Sequence, residues 1–205
     1  MSAAPDLTAP ALVAQLRERI GALEGAPART PLPTYDAFAP LIQLRAGGTY
    51  VVDAASVALA LVAGASAGGE WVGVLGWPDL GAEAAHDLGA DLSRVVLVPD
   101  PGGLWLEAAA ALIDVVRLVV LRPAGPVDPK SVAVLDARLR KRSAALVVWG
   151  EWPRCEARLS LERVSWTGPG RGSGRLAQRR AEIAVRRGGA PPARGGWVVS
   201  GGVVS

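Results

Sequence analysis

Short, unbroken runs of aliphatic and β-branched residues, separated by helix-length segments, constrain this chain more than any other feature. They are Thr49-Tyr50-Val51-Val52, Trp71-Val72-Gly73-Val74-Leu75, Val95-Val96-Leu97-Val98, Leu118-Val119-Val120-Leu121 and Ala145-Leu146-Val147-Val148-Trp149. A strand covered on both faces reads as a continuous apolar run, and parallel neighbours need a crossover between them. The pattern predicts strands near 49–53, 71–75, 94–98, 117–121 and 145–149, with helices near 54–65, 80–88, 104–114 and 130–142. The fold class is therefore α/β, a mostly parallel sheet with right-handed crossovers and helices on its faces. Two later strands, near 158–166 and 182–185, extend the sheet as antiparallel strands.

Around this core, 41–187, the sequence places three further segments. Residues 1–25 form an N-terminal arm whose helix, 11–23, carries Leu12, Leu16, Ile20 and Leu23 on one stripe. A linker, 26–40, holds Pro27, Pro31, Pro33 and Pro40. A Gly-, Pro- and Ala-rich tail, 188–205, reads as mobile, with Trp197-Val198-Val199 as a docking peptide in the alternative.

At 205 residues and 50% apolar composition, the chain suits one soluble domain. One cysteine, Cys155, and one histidine, His86, allow neither an internal disulfide nor a cysteine–histidine metal cluster. The first residues do not show a charged n-region followed by an apolar core and a cleavage site, and the longest uncharged stretch, 54–69, is shorter than the roughly 20 residues of a membrane span. The expectation is a cytoplasmic protein with no membrane association.

The segment Gly47-Gly48-Thr49-Tyr50-Val51-Val52-Asp53-Ala54-Ala55-Ser56-Val57 has the strand, turn and helix start of a phosphate-binding loop. A working loop, G-x-x-x-x-G-K-[ST], closes backbone N–H groups on the phosphates, reaches them with Lys and binds Mg²⁺ through a hydroxyl. Here the second glycine falls on Ala55, the lysine on Ser56 and the hydroxyl residue on Val57. The connection is also shorter by roughly three residues than the motif's loop.

This emptied loop and helix, then strand, helix ending Leu88-Gly89-Ala90-Asp91-Leu92, and strand, resembles the RecA ATPase core. Within that superfamily, three segments resemble the ImuA family of mutagenic translesion-synthesis accessory proteins, in its short ImuA-prime form. They are Leu16-Arg17-Glu18-Arg19-Ile20-Gly21-Ala22-Leu23-Glu24-Gly25, Trp149-Gly150-Glu151-Trp152-Pro153, and Trp166-Thr167-Gly168-Pro169-Gly170 with Gly174-Arg175-Leu176-Ala177-Gln178-Arg179-Arg180. The likeness covers roughly residues 10–188, a whole domain length. It implies positions for RecA's catalytic parts, and each is vacant. The carboxylate after the second strand falls in Gly76-Trp77-Pro78, with Asp79 the nearest acid; the metal-ordering Asp falls on Arg122; the sensor amide falls in Val147-Val148-Trp149-Gly150. Phosphoryl transfer is positioning and electrostatics on a Mg²⁺-phosphate, so the joint loss implies a pseudo-ATPase with no cofactor and no metal.

What the resemblance implies for function is an adaptor in the SOS-controlled mutasome, beside the polymerase homologue ImuB and, through it, a DnaE-type polymerase and the sliding clamp, nucleoid-associated when recruited. Direct DNA binding, modulation of RecA, a SulA-like inhibition of cell division and a residual ATPase stay open beside it. Charge bears on this choice. Residues 1–128 carry 7 Lys+Arg against 14 Asp+Glu, whereas residues 129–205 carry 15 against 5. Arg138, Arg140, Lys141 and Arg142 cluster on one helix, and Arg171, Arg175, Arg179, Arg180, Arg186 and Arg187 follow. Such a third meets an acidic protein surface, meets phosphates, or is simply solvated. The connections that would carry RecA's DNA-binding loops, Arg122 to Val132 and Trp149 to Leu161, are short, which favours protein. The candidate partner-binding residues are Leu12, Leu16, Ile20, Leu23, Trp152, Trp166, Arg175, Arg179, Arg180, Arg186 and Arg187. The N-terminal stripe either packs on its own domain or docks on another chain, self-association included.

Overall fold

The computed structural model describes residues 29–167 and 178–200. The chain divides into two units, Met1–Thr30 and Pro31–Ser205, and the architecture below is that of the second. The predicted N-terminal helix and Arg175 lie outside the described residues.

Eight strands form one sheet: β1 (Thr49–Val52), β2 (Val72–Leu75), β3 (Val95–Val98), β4 (Leu118–Leu121), β5 (Ala145–Trp149), β6 (Ala157–Thr167), β7 (Gln178–Arg186) and β8 (Ala193–Ser200). Their order is β3-β2-β4-β5-β1-β6-β7-β8. The first six in this order run parallel, and β7 and β8 pair antiparallel at the far side. Four helices connect the parallel strands: α1 (Ala55–Ala67), α2 (Ala82–Asp87), α3 (Trp105–Val115) and α4 (Pro129–Arg142).

Alternation along the strands divides the core into two layers. Tyr50, Val52, Val72, Val74, Leu118, Val120, Ala145 and Val147 pack with α1 on one face. Val51, Leu75, Val119, Leu121, Leu146 and Val148 pack with α3 and α4 on the other. Crossovers over the α1 face step toward β3, and those over the α3/α4 face step back, so one hand serves all four. Helix α1 is apolar almost all round, and from Val57 to Ala63 every residue is buried, as befits a helix sealed within the core. Helix α4 starts with Asp128 accepting from the Lys130 and Ser131 amides, Pro129 in its first turn, and stops at Ser143 in the left-handed region, φ 53.

Three expectations are corrected. The Pro-rich stretch is no free linker over 31–40. Leu32 and Phe38 are buried, and the Leu32 amide donates to the Leu44 carbonyl. The stretch crosses α1 so closely that a Cβ on Gly64 would lie 2.2 Å from the Tyr35 nitrogen. Prolines suit a strap laid over a core as well as a tether, and the apolar residues between them decide which. Likewise, the tail contains β8: Trp197 is buried to 2% exposure against Tyr35 and Phe38, with ring centroids 6.1 and 5.1 Å away. Glycine-rich composition reads as mobile, but β7 offers an edge and Trp197 supplies burial that outweighs the ordering cost. Third, β6 is parallel to β1, with Ala157 beside Tyr50, although antiparallel to β7. Residues 150–156 make this crossover without a helix because the strands are short, running back over β1 with Trp152 filling the layer.

Candidate functional site at the carboxyl rim of the sheet

In open α/β sheets, ligands bind beyond the carboxyl ends of the strands, where the strand order reverses. Here that place is the end of β1, between β5 and β6. Only Asp53 and Ala54 separate β1 from α1. Asp53 is stitched to β6: its amide donates to the Leu159 carbonyl at 3.3 Å, and its Oδ1 accepts from the Leu161 amide at 3.0 Å. Ala54 then begins the helix with no side-chain cap, its carbonyl accepting from Val57 and Ala58. A phosphate cradle needs a loop wide enough to turn several amides inward, and this turn has no such span. Ala55, Ser56 and Val57 form the first turn of α1 instead, and Val57 is buried in the core.

The Ser56 hydroxyl is taken from within the chain. Arg179, on β7, donates from Nη2 to Ser56 Oγ at 2.9 Å. Its guanidinium lies 5.1 Å from the Trp197 ring and 5.8 Å from that of Trp166. Burial pushes the Arg179 pKa below the ordinary arginine value, and its Nε is buried with no partner. The residue reaches this place because β7 alternates: Arg179 shares a face with Ala181, Ile183 and Val185, the three that point to the α1 core.

A second group closes the ends of β2, β4 and β5. Arg122, at the position that the resemblance assigned to a metal-ordering Asp, lies over Trp149 at 4.3 Å and donates to Asp79 at 2.9 Å. Trp149 in turn packs on buried Trp77, centroids 4.6 Å apart. Gly76, at φ +76, permits the approach, since a Cβ there would stand 2.3 Å from the Arg122 carbonyl oxygen. Sequence reasoning named Asp79 and Arg122 separately and missed that they pair; the two tryptophans at the carboxyl ends of β2 and β5, the strands that flank β4, were the available signal.

The remaining candidates separate by environment. Trp152 is only 4% exposed, inside the α3/α4 layer, and is corrected from interface to core. Trp166 is 54% exposed and opposes Arg179 across the β6–β7 ribbon. Arg180 and Arg186 are exposed on the same ribbon; Arg187, also exposed, donates to the Leu41 carbonyl at 2.6 Å. The α4 cluster is partly structural. Arg138 and Arg142 both hold Asp114 of α3, Arg138 through Nε at 2.7 Å, and this pairing brings the Asp114 carboxyl down to about 2. Cys155 is half-buried, which raises its thiol pKa, and the His86 side chain is exposed. Among the described residues, no group of three or more His, Cys, Asp or Glu could hold a metal ion, and no helix is long and apolar enough to cross a membrane.

Residues 37–154 match the MT3502 N-terminal domain, and the chain belongs to that family. It is similar to the uncharacterized protein Rv3395c of Mycobacterium tuberculosis (strain ATCC 25618 / H37Rv), 40% identical over 109 residues, which are 52% of this chain and 53% of the relative. The matched region thus spans about half the length of that relative. The family match covers β1 to β5 and the two rim groups up to Trp149, but not Trp166 or Arg179.

Proposed function

We propose that this member of the family is a non-catalytic adaptor on a RecA-like scaffold, serving SOS-induced mutagenic translesion synthesis by binding the ImuB polymerase homologue. One observation carries the non-catalytic half: the β1–α1 turn consists of Asp53 and Ala54 alone, and the hydroxyl at its helix start is bonded to Arg179. The Trp77–Trp149–Arg122–Asp79 group supports it, because a cation and two indoles occupy the strand ends where a Mg²⁺-nucleotide needs carboxylate and water. The adaptor half rests on the ImuA-prime resemblance, which links the chain to ImuB and, through it, to a DnaE-type polymerase and the clamp. Exposed Trp166, Arg180 and Arg186 of the β6–β7 ribbon, the tryptophan on one face and the two arginines on the other, are the residues we assign to that contact, since tryptophan and arginine dominate interface energetics.

Two measurements test the reading. Calorimetric titration with Mg-ATP to millimolar concentration gives neither heat nor thermal stabilisation, whereas saturation at 100 times a dissociation constant would add about 2.7 kcal/mol. Co-purification with ImuB is lost in Trp166→Ala/Arg180→Glu/Arg186→Glu while the melting temperature holds. If instead ImuB binding persists and single-stranded DNA binding collapses with a reduced salt slope, the same surface reads phosphates.

A further inference from the structure

Strand β3 ends the sheet opposite β8, and among the described residues no strand pairs with its outer edge. Val98 gives its carbonyl to the Gly76 amide on the β2 side, so by alternation Val95 and Leu97 turn their N–H and C=O groups outward. The side chains of Val96 and Leu97 are 37% and 42% exposed, on opposite faces of this edge. Natural edges are usually blunted by lysine, by inward charge, by a bulge or by covering structure. Val95-Val96-Leu97-Val98 has no charge, and only Pro99, which lacks an N–H, limits it at one end. We propose that β3 is a homodimer edge, on which the β3 of a second copy pairs antiparallel about a two-fold axis through Leu97.

The sequence fits its own reverse. With Leu97 on the axis, the two Leu97 residues exchange both backbone bonds, and each Val95 amide reaches the partner's Pro99 carbonyl. Val96 then opposes the partner's Val98, and Arg94, which precedes β3 and within its own chain meets Asp91 at 3.3 Å and donates to the Gly69 carbonyl at 2.9 Å, comes opposite the partner's Asp100, so opposite charges close both ends. The neighbouring register, with Val96 on the axis, would set Asp100 against Leu92 and lose that pairing. An isologous contact of this kind is self-limiting, because each copy has one β3. Exposed Leu92 and Leu104, just before and just after the strand, add apolar area beyond the ladder.

The full-length chain is examined by sedimentation equilibrium and light scattering, with circular dichroism of every variant as a check on folding. Wild type is a dimer that grows no further. Leu97→Lys, which sets like charges on the axis, weakens the dimer by at least about tenfold while its circular dichroism spectrum stays that of the folded wild type, since like-charge juxtaposition in an interface is strongly unfavourable. Arg94→Asp weakens it too, and Arg94→Asp/Asp100→Arg restores it, a rescue that a purely structural role for either residue does not give. A monomer at all concentrations, open-ended growth, a dimer indifferent to Leu97→Lys, or failure of the charge exchange to rescue overturns the proposal. If Leu97→Lys fails to fold, Leu97→Thr, polar and still a strand former, provides the same comparison.

Discussion

Arg179 and Ser56 meet across the sheet at 2.9 Å, joining β7 to the first turn of α1. The contact is electrostatically uneasy. A guanidinium at a helix N-terminus faces the positive end of the macrodipole, and this one has lost solvation and left its Nε without a partner. The stacking on Trp197 and Trp166 is what favours it. Arg179→Met keeps the apolar stem and removes the charge, so it is expected to be within about 1 kcal/mol of wild type or more stable, by urea denaturation. A loss beyond about 2 kcal/mol would mean that the cation itself holds the turn closed.

Arg122 and Asp79 form the other cross-rim pair, and their side chains are 39% and 75% exposed. Exposed pairs contribute little, so a double-mutant cycle, Arg122→Ala against Asp79→Ala, is expected to give a coupling under about 1 kcal/mol. Trp77→Ala, by contrast, empties a buried site and costs about 3–5 kcal/mol. The rim is thus held by indole burial. A coupling that exceeded the cost of Trp77→Ala would reverse that order.

Gly64 is the point at which the 31–40 strap crosses α1. The added methyl of Gly64→Ala meets backbone, the Tyr35 nitrogen at 2.2 Å and the Thr34 carbonyl carbon at 2.7 Å, and backbone yields less readily than a side-chain tip. Overpacking of this kind costs about 1–3 kcal/mol. Gly103→Ala, where nothing lies within 4 Å, is the control and stays within about 0.5 kcal/mol. Equal melting temperatures for the two variants would show that the strap lifts freely from the helix.

The parallel core was legible because β1, β2, β4 and β5 are buried on both faces and so had to be apolar runs, and edge strand β3, though half-exposed, carries the same apolar run; β1 to β5 lie within a residue or two of where the pattern puts them. The same logic misread 31–40 and 188–200. In those segments burial depends on a few large residues, Leu32, Phe38 and Trp197, set among prolines and glycines whose local preference is for irregular chain. That Ala55, Ser56 and Val57 do not spell a phosphate-binding loop was legible, since the wording of a motif is a local property. What takes its place was not, because Arg179 is 123 residues from Ser56 and no local pattern links them. Alternation in β7 placed Arg179 on the core face, but a core-facing arginine needs a known strand before the parity means anything.

Asp114 gives the fold an acid dependence. Its carboxyl is lowered from the ordinary 3.8 to about 2, chiefly by the hydrogen bond from Arg138 and then by the charges of Arg138 and Arg142. A carboxyl whose folded pKa lies below its unfolded one stabilises above the unfolded value, and that stabilisation is lost as pH falls through the folded one. Wild type should therefore lose stability between 3.8 and about 2, as α3 and α4 lose their clamp. Asp114→Asn should flatten that part of the profile, measured as the urea midpoint against pH, while leaving the profile above it parallel. An unchanged acid limb in the variant would assign the loss to other carboxylates.

Trp197 decides whether the C-terminal strand belongs to the domain. It is the largest of the fully buried side chains, it packs edge-on against Phe38, and it supports the Arg179 guanidinium from below. Trp197→Ala is expected to cost about 3–5 kcal/mol, which for a chain of this size lowers the melting temperature by about 10 °C or more. The indole N–H is buried without a partner, so the ring contributes mainly through packing. Trp197→Phe, which removes that unsatisfied donor while keeping an aromatic face, should recover more than half of the loss. Because Trp197 lies beneath Arg179 and beside the strap, the alanine change should also release Phe38, raising hydrogen exchange at the Phe38 and Ile42 amides, which donate to Tyr35 and Phe38 carbonyls. A melting temperature unaffected by Trp197→Ala would return residues 193–200 to the status of a dispensable tail, and with it the support beneath Arg179.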